Sequence, residues 1–204
     1  MKKYFSNYDF IFLDLDNTLF DEKLYLFEAY KNIDQYMLNL NLSLEENEIF
    51  NFLKTEFEKN GRRKLFNKLI SVYNLSEEEH LTFFLSILRE FVPKTKYKLD
   101  VKSYELLKLL KSIDKEIIII TNGNPIQQKN KITNIDWRGF NPFVIYANEY
   151  KAKPNKECFL PIKNKFKLTD HHKLLYIGDH DVDQAFAENI KSDFLFINKL
   201  KCHL

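Results

Sequence analysis

Cysteine is nearly absent from this chain. Cys158 and Cys202 are the only two, far apart and outside any CxxC spacing. That excludes a disulfide framework and makes a reducing cytoplasm the expected setting. Long apolar runs are missing as well: none approaches the roughly 20 residues of a membrane-spanning helix, so no membrane partner is expected. The opening Met1-Lys2-Lys3-Tyr4-Phe5-Ser6 has two lysines but no long apolar segment or small-residue cleavage site behind it, and is not expected to act as a secretory leader. Nor is there an excess of one charge. Lys plus Arg number 31 against 29 Asp plus Glu, so no global field would recruit nucleic acid or a membrane surface. With 204 residues the chain is long enough for one domain, or for a core with an insertion.

What is present begins with Phe10-Ile11-Phe12-Leu13-Asp14-Leu15-Asp16-Asn17-Thr18-Leu19-Phe20. Four apolar residues read as a buried strand that ends at two carboxylates one residue apart. On an extended chain alternate side chains share a face, so Asp14 and Asp16 both lean toward one site. Carboxylates that close repel, and burial unpaired would cost several kcal/mol or force protonation. A divalent cation removes that penalty, and Mg²⁺ is commonly held by one or two carboxylates plus substrate phosphate. Thr18 offers a hydroxyl able to tie the turn back onto a carboxylate or a backbone group. Asp and Asn are also ordinary turn residues, so this stretch alone leaves function open.

Downstream the pattern turns helical from about Asp21 to Val92, and Pro93 stops it. Leu24, Phe27, Ile33, Met37 and Leu40 predict one amphipathic helix. Ser43-Leu44-Glu45-Glu46 fits a capping box before Ile49, Phe52, Leu53 and Phe57. A shorter helix carries Leu65, Leu69, Ile70 and Tyr73. Ser76-Glu77-Glu78-Glu79 is a second capping box, before Leu81, Phe84, Leu85, Leu88 and Phe91. These stripes read as packing surfaces, and Arg62-Arg63-Lys64 as a solvated face. After Pro93, helix and strand alternate: a helix over 101–113, a β-branched strand over 116–120, a helix over 126–135 and a strand over 143–146. A helix over 155–166, a strand over 173–177, a helix over 184–190 and a last strand over 194–197 follow. The expected architecture is α/β, a doubly wound parallel five-stranded Rossmann-like sheet. Residues 1–20 and 94–204 would form the core, with 21–93 inserted into the first crossover as a helical block.

Ligands of such sheets bind outside the carboxyl ends of the strands. The second strand delivers Thr121-Asn122-Gly123, where a hydroxyl and turn N–H groups can cradle phosphate oxygens, although Asn-Gly is also a common turn. After the third comes Lys151-Ala152-Lys153-Pro154, with Lys153 at a helix entry where a cation can reach a bound phosphate. The fourth ends in Gly178-Asp179-His180-Asp181-Val182-Asp183. If a helix starts there, Asp179 and Asp183 share a face and form the working pair, with Asp181 solvated and His180 a bystander. Acidic residues at a helix N-terminus also serve as ordinary caps.

These four motifs, with Phe159 downstream of Lys153-Pro154, resemble in order and spacing those of the haloacid dehalogenase-like hydrolases, over residues from about 10 to 197. The helical block is similar to the cap of that superfamily's first cap class. Asn17 departs from the usual glycine, and Ala187-Glu188-Asn189-Ile190 from a glycine-bearing helix end. The resemblance implies Asp14 as nucleophile forming an aspartyl-phosphate. It implies Asp16 as acid and then base, with Thr121 and Lys153 holding the phosphoryl group and Thr18, Asn122 and Gly123 beside them. Mg²⁺ would be held by Asp14, the carbonyl of Asp16 and Asp179, with Asp183 supporting these ligands from behind or reaching the metal through a water. Dehalogenating members lack the second carboxylate, so Asp16 favours a phosphatase acting on a small phosphorylated metabolite: a sugar phosphate, a nucleoside monophosphate or phosphoglycolate. The same resemblance leaves a monomer or homodimer open. A phosphomutase keeps all four motifs, and a non-catalytic phosphate-binding protein could share the fold. A two-component receiver is disfavoured, because its phosphoacceptor ends the third strand, which here ends near Ala147-Asn148-Glu149. The inserted block is expected to be a mobile lid that selects the substrate.

Overall fold

The computed structural model describes residues 1–40 and 44–201. In chain order the elements are α1 (Lys2–Phe5), β1 (Phe10–Leu13), α2 (Glu22–Asn39), α3 (Glu48–Asn60), α4 (Leu65–Val72) and α5 (Glu77–Glu90). They continue with β2 (Tyr97–Lys98), α6 (Val101–Lys111), β3 (Ile118–Thr121), α7 (Pro125–Asn134), β4 (Ile135–Asp136) and β5 (Phe143–Tyr146). The last are α8 (Leu160–Lys165), β6 (Leu174–Gly178), α9 (Asp181–Asn189), β7 (Asp193–Phe196) and α10 (Ile197–Lys201). The chain divides into two compact units, Met1–Glu22 with Lys96 onward, and Lys23–Thr95.

In the first unit five strands form one parallel sheet in the order β5-β3-β1-β6-β7. Sequence order runs outward from β1 in both directions, which makes the sheet doubly wound and puts the β1/β6 boundary at its topological switch point. Parallel sheets are covered on both faces. Phe12, Ile118, Ile120, Leu174 and Tyr176 pack on one side with Phe159, Ile162 and Phe186. Their neighbours Ile11, Leu13, Ile119, Leu175 and Ile177, which point the other way, are equally buried. Edge-to-face rings lock the first layer, with Phe12 and Phe159 5.3 Å apart and Tyr176 and Phe186 5.4 Å apart.

The second unit holds α3 to α5 and nearly all of α2. Its stripe differs from the expected one: Leu24 and Leu40 are exposed, whereas Tyr25, Leu26, Ala29, Tyr30, Ile33 and Met37 are buried. Two tyrosines join the apolar face and rotate it by about one position. The Tyr25 hydroxyl donates to the carbonyls of Phe91 and Leu88 at 2.8 and 3.1 Å, serving the end of α5 that has no intrahelical donors. Ser76 caps α5 by accepting from the Glu79 N–H at 3.4 Å. Ser43, of the other expected capping box, lies outside the described residues, as do Cys202 and His203. Instead, buried Asp34 accepts from the N–H groups of Asn47 (3.2 Å) and Phe50 (3.0 Å) at the start of α3. Arg62-Arg63-Lys64 form an exposed turn between α3 and α4 rather than a helical face.

Other departures have local causes. The helix expected over 155–166 is split into a 3-10 turn, Lys156–Phe159, and α8. Pro161 lacks the N–H that a continuous helix would bond to Glu157. The small β2/β4 pair and the short α1 and α10 were not foreseen, being too brief for a periodic signal. Among the described residues, no helix is long and apolar enough to cross a membrane.

Candidate active site

Asp14 directly follows β1, and its N–H extends the ladder by donating to Ile177 O at 2.9 Å. The chain then turns sharply: the Leu15 carbonyl accepts from the N–H groups of Leu19 (2.9 Å) and Phe20 (3.0 Å). Asn17 takes the turn's left-handed conformation at φ 57°, where an asparagine can replace glycine. Thr18 departs from expectation. Its hydroxyl is buried without a hydrogen-bond partner among the described residues, so the tie to a nearby carboxylate or backbone group is not made.

Lys153 is buried, not the exposed loop lysine its flanking residues suggest. Its three N–H groups face four acceptors, Asp14 Oδ1 (2.7 Å), Asp183 Oδ1 (2.6 Å), the Tyr176 hydroxyl (2.8 Å) and the Ile120 carbonyl (2.9 Å), the last also accepting from the Tyr176 hydroxyl at 2.9 Å. Burial opposes its ammonium, but Asp14, Tyr176 and Asp183 outweigh that and hold its pKa well above the ordinary lysine value. Its backbone is fixed reciprocally by Asn122, whose Nδ2 donates to Lys153 O (3.0 Å) and whose Oδ1 accepts from Lys153 N (2.8 Å). The Gly123 N–H donates to Asn148 Oδ1 at 2.9 Å. The Asn122 side chain and the Gly123 N–H are therefore engaged in bracing the loops here. Thr121 ends β3, buried, and its hydroxyl makes a 3.3 Å contact to Asn122 O.

At the end of β6, Asp179 precedes the helix, and His180, outside the three-carboxylate group, is the helix's N-terminal cap. The His180 ring Nδ1 accepts from Val182 N at 3.2 Å, and Asp183 Oδ2 accepts from His180 N at 3.3 Å. Asp183 thus faces Lys153 with one oxygen and closes the cap with the other, while Asp181 is exposed as expected. Gly178 makes room for this, since a Cβ there would lie 2.5 Å from Asp183 Oδ2.

Asp14, Asp179 and Asp183 each bring one oxygen within 4.8 Å of the others. Burial first, and then Asp183 and Asp16, push the Asp14 pKa up to about 7 against the opposing pull of Lys153. Burial and Asp183 also raise that of Asp179. Three convergent hard oxygens, two of them on carboxylates disfavoured as anions, fit a divalent cation of the Mg²⁺ type. With Asp16, four carboxylates face two ammonium groups, Lys131 and Lys153, leaving a formal charge of −2 that such an ion would balance.

The carboxylate of Asp16 stands apart from that cluster. Lys131 Nζ donates to its Oδ1 (2.8 Å) and Oδ2 (2.7 Å), and Gln128 Nε2 to its Oδ2 (2.8 Å). Neither partner was among the residues singled out in the sequence, and neither was Tyr176. The available signal is compositional. The helix Pro125-Ile126-Gln127-Gln128-Lys129-Asn130-Lys131-Ile132-Thr133-Asn134 has too few apolar residues for an apolar inner face, and Ile126 is 53% exposed.

A doubly wound parallel sheet with a buried aspartate–lysine–aspartate cluster at its carboxyl ends defines a Rossmann-like hydrolase of the haloacid dehalogenase type. The chain belongs to the haloacid dehalogenase-like hydrolases, whose family model matches residues 8–191. A structure described as a β-phosphoglucomutase from Thermotoga maritima is 17% identical, covering 89% of this chain and 81% of that one at a TM-score of 0.61. A defluorinating L-2-haloacid dehalogenase is 15% identical, covering 91% of this chain and 79% of that one at 0.58. The HAD-hydrolase YfnB from Bacillus subtilis, solved bound to magnesium, is 18% identical, covering 92% and 87% at 0.54. Such identities show a shared fold. Among curated protein sequences none matches this chain.

Proposed function

We propose that this hydrolase is a Mg²⁺-dependent phosphatase acting on a small phosphorylated metabolite. The observation that carries the reading is Asp16: a second carboxylate two residues after Asp14, held apart from the three-oxygen cluster by Lys131 and Gln128. A halide leaves without a proton, whereas an alkoxide needs one, so an acid at this place suits an ester. An Asp14 oxygen attacks phosphorus as the bond to the leaving oxygen breaks, and Asp16 gives that oxygen its proton. Water then loses a proton to Asp16 and attacks the same phosphorus, releasing phosphate and restoring Asp14. Lys153, already on Asp14, offsets charge on the transferring group. Asp14, Asp179, Asp183 and the Asp16 carbonyl would hold Mg²⁺, which when bound neutralises phosphoryl oxygens. The inserted unit, 23–95, leaves the core just after the β1 turn and is proposed to select the substrate.

The test is a panel of phosphate esters and 2-haloacids offered to the purified chain with Mg²⁺. Inorganic phosphate from at least one ester, and no halide, is expected. Halide release without phosphate release would instead assign a dehalogenase, and isomerisation of a hexose 1-phosphate without net hydrolysis a mutase.

A further inference from the structure

Lys131 is wholly buried, and an ammonium in that position costs several kcal/mol unless it is paired. It is paired with both oxygens of Asp16. The local sequence dictates the reach. Asn124 caps α7 by accepting from the N–H groups of Ile126 (3.0 Å) and Gln127 (3.3 Å), and Pro125 takes the first helical position. Residues three apart then share a face, so Gln128 and Lys131 are presented together. Gln128 Nε2 also donates to Asn122 O at 2.6 Å, and Asn122 grips the backbone of Lys153. One hydrogen-bonded path therefore joins the Asp16 carboxylate to the loop that carries Lys153. Gly123 leaves space for the path: a Cβ at its φ of +123° would fall 2.7 Å from Gln128 Nε2.

We propose that Lys131, assisted by Gln128, is a positioning residue that fixes which oxygen of Asp16 transfers the proton; this rests on the phosphatase reading above. A carboxylate oxygen has two lone-pair sites. Oδ2 accepts from both Lys131 and Gln128, whereas among the described residues Oδ1 accepts from Lys131 alone. Oδ1 keeps one site open, and the bidentate grip on the carboxylate sets where that site points. The proton passes from Oδ1 to the leaving oxygen in the first step and from water to Oδ1 in the second. Without Lys131 the Asp16 side chain, partly exposed, would turn in solvent and lose this aim.

Lys131→Met, which keeps the stem, is compared with wild type on an alkyl phosphate and on dinitrophenyl phosphate, whose phenolate leaves without a proton. On the alkyl ester kcat should fall about 10–100-fold, the scale of a 1 Å misplacement, with KM within about threefold. Single-turnover release of dinitrophenolate should fall less than about threefold. Added to Asp16→Asn, Lys131→Met should cost less than about twofold more, because it acts through a group already removed. Gln128→Met, a milder change, should show the same pattern with a smaller loss, and decides the matter if Lys131→Met does not fold. Equal loss on both esters, a full additional loss in the Asp16→Asn background, or no loss in either variant overturns the positioning role and leaves the phosphatase reading standing. A wild-type chain that hydrolyses no phosphate ester overturns that reading, and this inference with it.

Discussion

At Asp14, burial and charge pull against each other, and the outcome is measurable as stability. Its folded pKa of about 7 lies above the ordinary value of 3.8. Between about pH 4 and 7 the metal-free folded state keeps a proton at this carboxyl that the unfolded chain has released. Stability from this group is therefore lost as pH rises through that window. Asp14→Asn cannot ionise and escapes the loss. In urea unfolding with chelator present, the stability of Asp14→Asn relative to wild type should climb from about pH 4 to 7 and then level. A flat or falling difference would contradict the electrostatic account. With Mg²⁺ added, wild type should gain thermal stability and Asp14→Asn should gain much less, because the ion stabilises the folded state that binds it. Equal gains would remove Asp14 from the metal site.

Two helix starts depend on single buried side chains, and each can be broken on its own. Gly178→Ala forces a Cβ against Asp183, whose carboxylate has no room to retreat without releasing Lys153 or the His180 cap. Overpacking of this kind costs about 1–3 kcal/mol, which a shift in urea midpoint would register. An unchanged midpoint would mean that α9 moves freely. In the inserted unit, Asp34→Ala strips the partner from two N–H groups at the start of α3. The expected loss is about 1–2 kcal/mol, with amide exchange accelerated at Asn47 and Phe50 above the rest of the helix. These starts show why some elements were legible and others were not. The isoleucine strand and the Ser76 helix start announce themselves through neighbours in sequence. Asp34 reaches α3 from 13 residues away in the chain, and no local pattern contains that contact. The shift of the α2 stripe is different in kind, because Tyr25 and Tyr30 have apolar rings and polar tips and read as either face.

Across the whole molecule, the parallel α/β class was readable because buried strands give short apolar runs and most of the helices between them give period 3.6. The order of the strand ends then predicted which residues would converge. Asp14, Lys153, Asp179 and Asp183 do converge. The sequence did not disclose what holds them: Asn122 on the Lys153 backbone, Tyr176 beneath its ammonium, and Lys131 on Asp16. Tyr176 lies in a strand that reads as packing, Asn122 in a turn that reads as a phosphate cradle and Lys131 on a helix without an apolar face, and the partner of each is decided only in three dimensions. The central claim is that Asp14 takes a phosphoryl group which Asp16 then helps to release. The most direct measurement uses Asp16→Asn, in which general acid–base help worth about 10²–10⁴-fold is missing and turnover should stall. The variant is mixed with Mg²⁺ and ³²P-labelled activated aryl phosphate, acid-quenched within one turnover and digested. The account predicts near-stoichiometric label on the peptide carrying Asp14, absent when Asp14→Asn is added. Label on another residue, or free phosphate at the wild-type rate with no labelled peptide, would contradict it.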